Sequence, residues 1–166
     1  MPAGVSAITP LANLTLGTAA NTITFTSISG AYRDLFLVVN YNNSSNFVRG
    51  NITFNNDSSQ AYNSVYALGN GSTATSSSAS SASSLDPTGP SDNSSGAIGY
   101  IAHFFDYAQT DKHKSVLWRV YEPGGGVIMN ATRYGSTNAI TSIQIVGNFS
   151  RTFPVGSTFA LYGVSS

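Results

Sequence analysis

Ala97-Ile98-Gly99-Tyr100-Ile101-Ala102-His103-Phe104-Phe105-Asp106-Tyr107, then Gln109-Thr110-Asp111-Lys112-His113, then Val116-Leu117-Trp118-Arg119-Val120-Tyr121, is the stretch that decides the fold. Two runs rich in aromatic and β-branched residues flank a short polar string. Such a pattern predicts two strands joined by a hairpin turn. Glu122-Pro123-Gly124-Gly125-Gly126 turns the chain again, into a third run from Val127 to Tyr134. Under strict alternation His103 shares a face with Ile101 and Phe105, which predicts a satisfied core or interface residue.

The same grammar holds on both sides of this stretch. Thr22-Ile23-Thr24-Phe25-Thr26 alternates, with Ile23 and Phe25 facing inward. Leu35-Phe36-Leu37-Val38-Val39 is apolar on both faces and predicts a central strand. The run from Phe47 to Phe54 puts Ile52 and Phe54 on one face. Ile140 to Val146 and Thr158 to Val164 close the domain. Nowhere is a 3.6-residue period sustained. The prediction is an all-β chain, an antiparallel sandwich or barrel of eight to ten strands.

At 166 residues the chain is expected to form one domain. An N-terminal arm (residues 1–21) precedes a β-sandwich domain (residues 22–166). Residues 71–96 hold 11 serines and two prolines with few apolar residues, so they predict a long Ser-rich loop or insertion. The opening Met1-Pro2-Ala3-Gly4-Val5 lacks a basic segment followed by an apolar one, so no signal peptide is expected.

Charged residues make up 8% of the chain, seven basic balancing seven acidic. A nucleic-acid partner needs a basic face, and an anionic membrane needs a basic cluster. Neither is written here, so neither partner is expected. Ser, Thr and Asn supply 57 residues. So much hydroxyl and amide with so little charge suits a β-rich protein outside the cell or inside a large assembly.

Catalytic chemistry finds little to work with. There is no cysteine, hence no thiol nucleophile and no Cys-ligated metal. Asn70-Gly71-Ser72-Thr73-Ala74 lacks the second glycine of a nucleophile elbow. Gly124-Gly125-Gly126 opens no helix and lacks the following Lys and Ser/Thr of a phosphate cradle. Asp57, Asp86, Asp92 and Asp111 sit in turn-like strings, Glu122 precedes Pro123, and nothing pairs Asp34 with Asp106 for glycoside hydrolysis. Asp106, Asp111 and His113 could form a site, but a hairpin turn accounts for Asp111, Lys112 and His113 without one. The chain is therefore expected to be no enzyme and to need no cofactor.

Nine tyrosines, most in strands or at strand ends, fit either a carbohydrate platform, a protein interface or a sandwich core with hydroxyls at its rim. Arg119 and Arg133 lie in strands beside apolar residues. An outer sheet face that packs on a neighbour explains them, and so does an exposed strand pair.

The closing segment, Phe153-Pro154-Val155-Gly156-Ser157-Thr158-Phe159-Ala160-Leu161-Tyr162-Gly163-Val164, resembles the F-x-x-G-S-x-F-x-L-Y-G-I ending of structural proteins of tailed bacteriophages, cyanophages among them. Thr24-Phe25-Thr26-Ser27-Ile28 with Tyr32-Arg33-Asp34-Leu35 resembles the entry of that family. Ile52-Thr53-Phe54-Asn55-Asn56-Asp57 with Ala61-Tyr62 resembles its F-N-G-D-…-Y string, with Asn56 where glycine is usual. Ile101 to Tyr107 and Lys114 resemble its strand and lysine hairpin. The likeness runs from about Thr22 to Val164.

The resemblance implies a jelly-roll β-sandwich that is a virion component and acts as a trimer. Such modules occur as capsid decoration proteins and as domains of tail fibres or spikes. No catalytic residue is implied. The expected role is a decoration protein on the outer capsid surface, with the major capsid protein as partner. The alternative is a tail or head-fibre module that binds host surface carbohydrate. Exposure, rather than any motif, nominates the interface residues. These are Met1, Val5, Ile8 and Leu11 in the arm, Ser77, Ser81 and Leu85 in the Ser-rich segment, and Asp111, Lys112 and His113 at the hairpin tip.

Overall fold

The computed structural model describes residues 7–43, 48–59, 61–87, 96–122 and 126–165. Eleven strands are present among the described residues: β1 (Ile8–Thr15), β2 (Thr22–Phe25), β3 (Asp34–Asn43), β4 (Gly50–Phe54), β5 (Tyr62–Gly69), β6 (Ala74–Ala82), β7 (Gly96–Phe105), β8 (Lys114–Glu122), β9 (Gly126–Tyr134), β10 (Ile143–Gly147) and β11 (Thr158–Val164). The only helical piece among the described residues is one 3-10 turn, Asn148–Ser150.

The strands form two antiparallel sheets. The larger has the order β1-β11-β3-β7-β8-β9-β5-β6, the smaller β2-β10-β4. Strands β1 to β4 alternate between the sheets, and β10 and β11 return to lie between them. That interleaving gives the all-β sandwich its jelly-roll character.

The core lies where the small sheet covers the large one. Leu35, Leu37 and Val39 of β3 and Ala102 and Phe104 of β7 are buried against Ile23 and Phe25 of β2, Ile52 and Phe54 of β4, and Ile143 and Ile145 of β10. Ile23 and Phe25 of β2 face inward as alternation predicts, and Ile52 and Phe54 share one face of β4 as expected. Phe54 meets Phe104, Tyr62 and Tyr134 edge-on at 5.5, 5.6 and 5.3 Å. Edge-to-face contact at this spacing suits the aromatic quadrupole.

The turn after β4 explains the Phe54–Asp57 string. Asn55 and Asn56 take φ of 53° and 55°, a left-handed conformation that Asn tolerates. The Asn55 side chain accepts the amides of Thr141 and Ser142 at 2.8 and 3.1 Å and donates to the Ala139 carbonyl at 2.8 Å. Tyr62 Oη accepts the Phe54 amide at 2.9 Å and donates to the Asp57 carbonyl at 3.0 Å, while Tyr134 donates to the Asp57 carboxylate at 2.7 Å. The string is a structural tie between two loops. Lys114 is likewise structural. It is buried, and its Nζ donates to the carbonyls of Lys112 and Thr137 at 2.8 and 3.0 Å. Burial pushes its pKa down.

The described residues hold eleven strands, close to the expected number of about eight to ten. Two expectations need correction. The Ser-rich segment 71–96 is not simply a loop: residues 74–82 are β6, the edge strand beyond β5. An edge strand needs backbone hydrogen bonds from one neighbour only, and side chains exposed on both faces leave no apolar alternation to read. Residues 88–95 of that segment lie outside the described residues. The expected arm 1–21 is not a separate arm over residues 8–15, because β1 pairs along β11 with a bulge at Pro10–Ala12. Residues 1–6, with Met1 and Val5, lie outside the described residues.

Candidate interface on the outer sheet face

Strand β9 decides which surface matters. Its inward residues are Ile128, Asn130, Thr132 and Tyr134, and its outward ones Val127, Met129, Ala131 and Arg133. Its neighbour β5 sends Tyr62, Ser64 and Tyr66 inward, and Val65 and Ala67 outward. In the middle of this strand pair the usual partition is reversed, with polar groups inside and apolar groups in solvent.

The inner polar groups satisfy one another. Ser64 and Thr132 hydroxyls are 2.8 Å apart, and Thr132 donates to Asn130 Oδ1 at 3.0 Å. Asn130 Nδ2 donates to the Asp86 carbonyl at 3.3 Å. Burial raises the Tyr66 pKa. The cover here is the segment around Leu85 and Asp86. Leu85 exchanges two backbone hydrogen bonds with Ile52 at 2.7 and 2.8 Å, and Arg49 pairs with Asp86 at 3.1 Å. A polar segment lying over β9 is matched by polar residues beneath it.

On the outside, register lines the side chains up in rows. Asn40, Gly99, Tyr121 and Val127 form one row across β3, β7, β8 and β9. Val38, Ile101, Arg119, Met129 and Ala67 form the next, reaching β5. Phe36, His103, Leu117, Ala131 and Val65 form the third. Phe105, Ser115, Arg133 and Asn63 form the fourth. Val65, Leu117, Tyr121, Val127 and Met129 are exposed at 62, 48, 51, 53 and 63%. Five such residues on three adjacent strands make a contiguous apolar patch, the kind that marks an interaction site.

Three shallow hollows dimple this face. One of about 390 Å³ lies among Val38, Asn40, Ile101, Arg119, Tyr121 and Val127. Gly99 is its floor: a Cβ there would come within 2.4 Å of the Tyr121 ring and 2.7 Å of the Asn40 side chain. One of about 300 Å³ lies among Val65, Ala67, Leu117 and Met129. One of about 460 Å³ lies among Asn63, Val65, Ser78, His113 and Arg133.

At the corner of the face, His103 Nε2 lies 3.1 Å from Asp34 Oδ2, and Arg33 pairs with the same oxygen at 3.0 Å. The Asp106 amide donates to the other carboxylate oxygen at 3.0 Å. Burial alone would raise the Asp34 pKa, but the Asp106 amide, His103 and Arg33 together hold it below its usual value. The His103 ring sits between Phe36 and Phe105, at 4.4 and 3.8 Å. It is the satisfied residue expected, placed on the outer face and not in the core.

The nominated interface residues scatter. Ile8 is exposed on β1, while Leu11 is half-buried and packs against the core. Ser77 and Ser81 are exposed on β6. Leu85 is 1% exposed, so its nomination is overturned: it extends the small sheet. Asp111, Lys112 and His113 are exposed at the β7–β8 turn, where Lys112 pairs with Asp106 at 3.0 Å and His113 reaches the third hollow. Asp106, Asp111 and His113 do not come together as metal ligands, and no other such group of three occurs among the described residues. Sequence reasoning did not single out Val65, Leu117, Val127 and Met129. The available signal was Arg119 and Arg133 beside apolar residues, and both lie on this face.

No protein-family model matches the chain, and no curated protein is detectably similar to it. Among solved structures, galectin LEC-6 of Caenorhabditis elegans aligns over 93% of this chain and 96% of its own, at 10% identity and a TM-score of 0.41. A likeness that faint bears on no functional argument.

Proposed function

We propose that this chain is a non-enzymatic structural protein of a phage virion, a capsid decoration protein that binds the outer shell and stabilises contacts between major-capsid subunits. The observation that carries the proposal is the reversed β5–β9 pair. Exposed Val65, Val127 and Met129 over a polar interior suit a sheet whose outer face is covered in an assembly. The sequence resemblance supplies the kind of assembly. A protein that binds only the assembled lattice stabilises it by mass action. Copies act as trimers in this reading.

A second reading, a tail or head-fibre module for host surface carbohydrate, draws support from the hollow where Tyr121 lies over Gly99 beside Asn40 and Arg119. Immunogold electron microscopy of purified virions separates the two. Label spread over the head is the expected result. Label confined to tail or fibre tips favours the second reading, and no label on accessible epitopes overturns both.

A further inference from the structure

We propose, on the strength of the virion reading above, that the outer face of β8, β9 and β5 docks a protein surface with an apolar centre ringed by carboxylates, and not a second copy of this chain. The centre of the face is Val65, Leu117 and Met129. Val65 and Leu117 flank Ala131 from opposite sides, and Met129 stands beside Arg119. These side chains offer nothing to a sugar's hydroxyls, but they match the dehydrated centre of a protein interface.

The charges specify the partner further. Arg119 and Arg133 are exposed and form no ion pair among the described residues. They stand four residues apart in register terms, about 13 Å along the strands. Among the described side chains, none of those pointing outward from β5, β8 and β9 is acidic. At the edge of the face, Asp34 is already engaged by Arg33 and His103, and Asp106 by Lys112. An apolar partner without carboxylates would bury two unpaired guanidinium groups, which is costly. A two-fold contact between copies would bring four such cations together. A partner carrying acidic groups around an apolar centre solves both problems and gains steering on approach.

The test uses particles of the encoding phage grown without this chain, mixed with purified protein and sedimented. Wild type is expected to bind. Met129→Glu and the double variant Arg119→Glu/Arg133→Glu are each expected to weaken binding at least tenfold, with melting temperatures near that of wild type. Thr24→Glu, on the outer face of the small sheet, is expected to bind as wild type does. Raising NaCl from 50 to 500 mM should weaken wild type more than Arg119→Gln/Arg133→Gln, a salt signature that a folding defect would not produce.

Each other outcome overturns the proposal in a distinct way. Wild type that binds while both face variants bind equally well leaves the virion reading intact and removes this face from it. Loss with Thr24→Glu moves docking to the small sheet. Sensitivity to the arginine variants but not to Met129→Glu indicates an anionic ligand such as an acidic glycan. A dimer of the free chain in analytical ultracentrifugation, broken by Met129→Glu, indicates a second copy. Wild type that fails to bind particles removes the virion reading and the docking surface with it.

Discussion

Strands β3 and β9 lie in the interior of the same sheet, with β7 and β8 between them, and differ in what they hide. β3 sends Leu35, Leu37 and Val39 inward, all fully buried. β9 sends Asn130 and Thr132 inward and leaves Val127 and Met129 in solvent. The difference follows from what lies above each. β3 faces the apolar side of the three-stranded sheet. The middle of β9 faces the segment carrying Asp86, whose carbonyl takes a hydrogen bond from Asn130. One sheet can thus have two insides. The first is filled within the chain, and the second, on the outer side of β9, is apolar and exposed.

The largest effect expected of this contrast comes from β3. Leu37→Ala should cost about 2–5 kcal/mol, because the cavity cannot collapse between two sheets. Chemical denaturation measures it, and a loss below 1 kcal/mol would mean that the small sheet does not seal β3. Next comes Asn130→Ala, at about 1–3 kcal/mol, since it strips Thr132 Oγ1 and the Asp86 carbonyl of buried partners. A neutral result there would show that water replaces the amide and that β9 has no true interior.

Alkaline pH probes the far end of β9. The Tyr134 pKa is pushed up to about 12 by burial and by the Asp57 carboxylate it donates to. A raised folded-state pKa contributes stability that is whole below the unfolded value near 10 and is lost as pH rises through 12. Melting temperature should therefore fall from pH 10 upward, and less steeply in Tyr134→Phe. Equal slopes would place the titration elsewhere. The smallest effect is Met129→Glu in the isolated chain, within about 0.5 kcal/mol of wild type. A loss of several kcal/mol would mean that this face packs on the chain itself.

Much of the sandwich was legible. Ile23, Phe25, Ile52 and Phe54 alternate against polar neighbours, and each faces the core. Alternation sorts a strand into two sets, but it identifies the inner one only when that set is apolar. On β9 the sets are Val127, Met129, Ala131 and Ile128, Asn130, Thr132, so pattern alone favours the wrong side of the strand's middle. β6 offers no contrast at all, being Ala, Ser and Thr on both faces. Leu85 is a lone apolar residue among serines, and only its two hydrogen bonds to Ile52 reveal that it belongs inside.

The return of β10 and β11 has a consequence for how the molecule comes into being. Among the described residues β1 pairs only with β11, and β2 only with β10, so Ile8 waits for Val164 and Phe25 for Ile143. During synthesis the earliest strands leave the ribosome more than a hundred residues ahead of their partners. Neither sheet can close around β3 until that delay has passed. Contacts so distant along the chain make for slow folding, with apolar strand edges open in the interval. A nascent chain halted before residue 143 should stay protease-sensitive and chaperone-bound, and the whole sandwich should then form in a single late step.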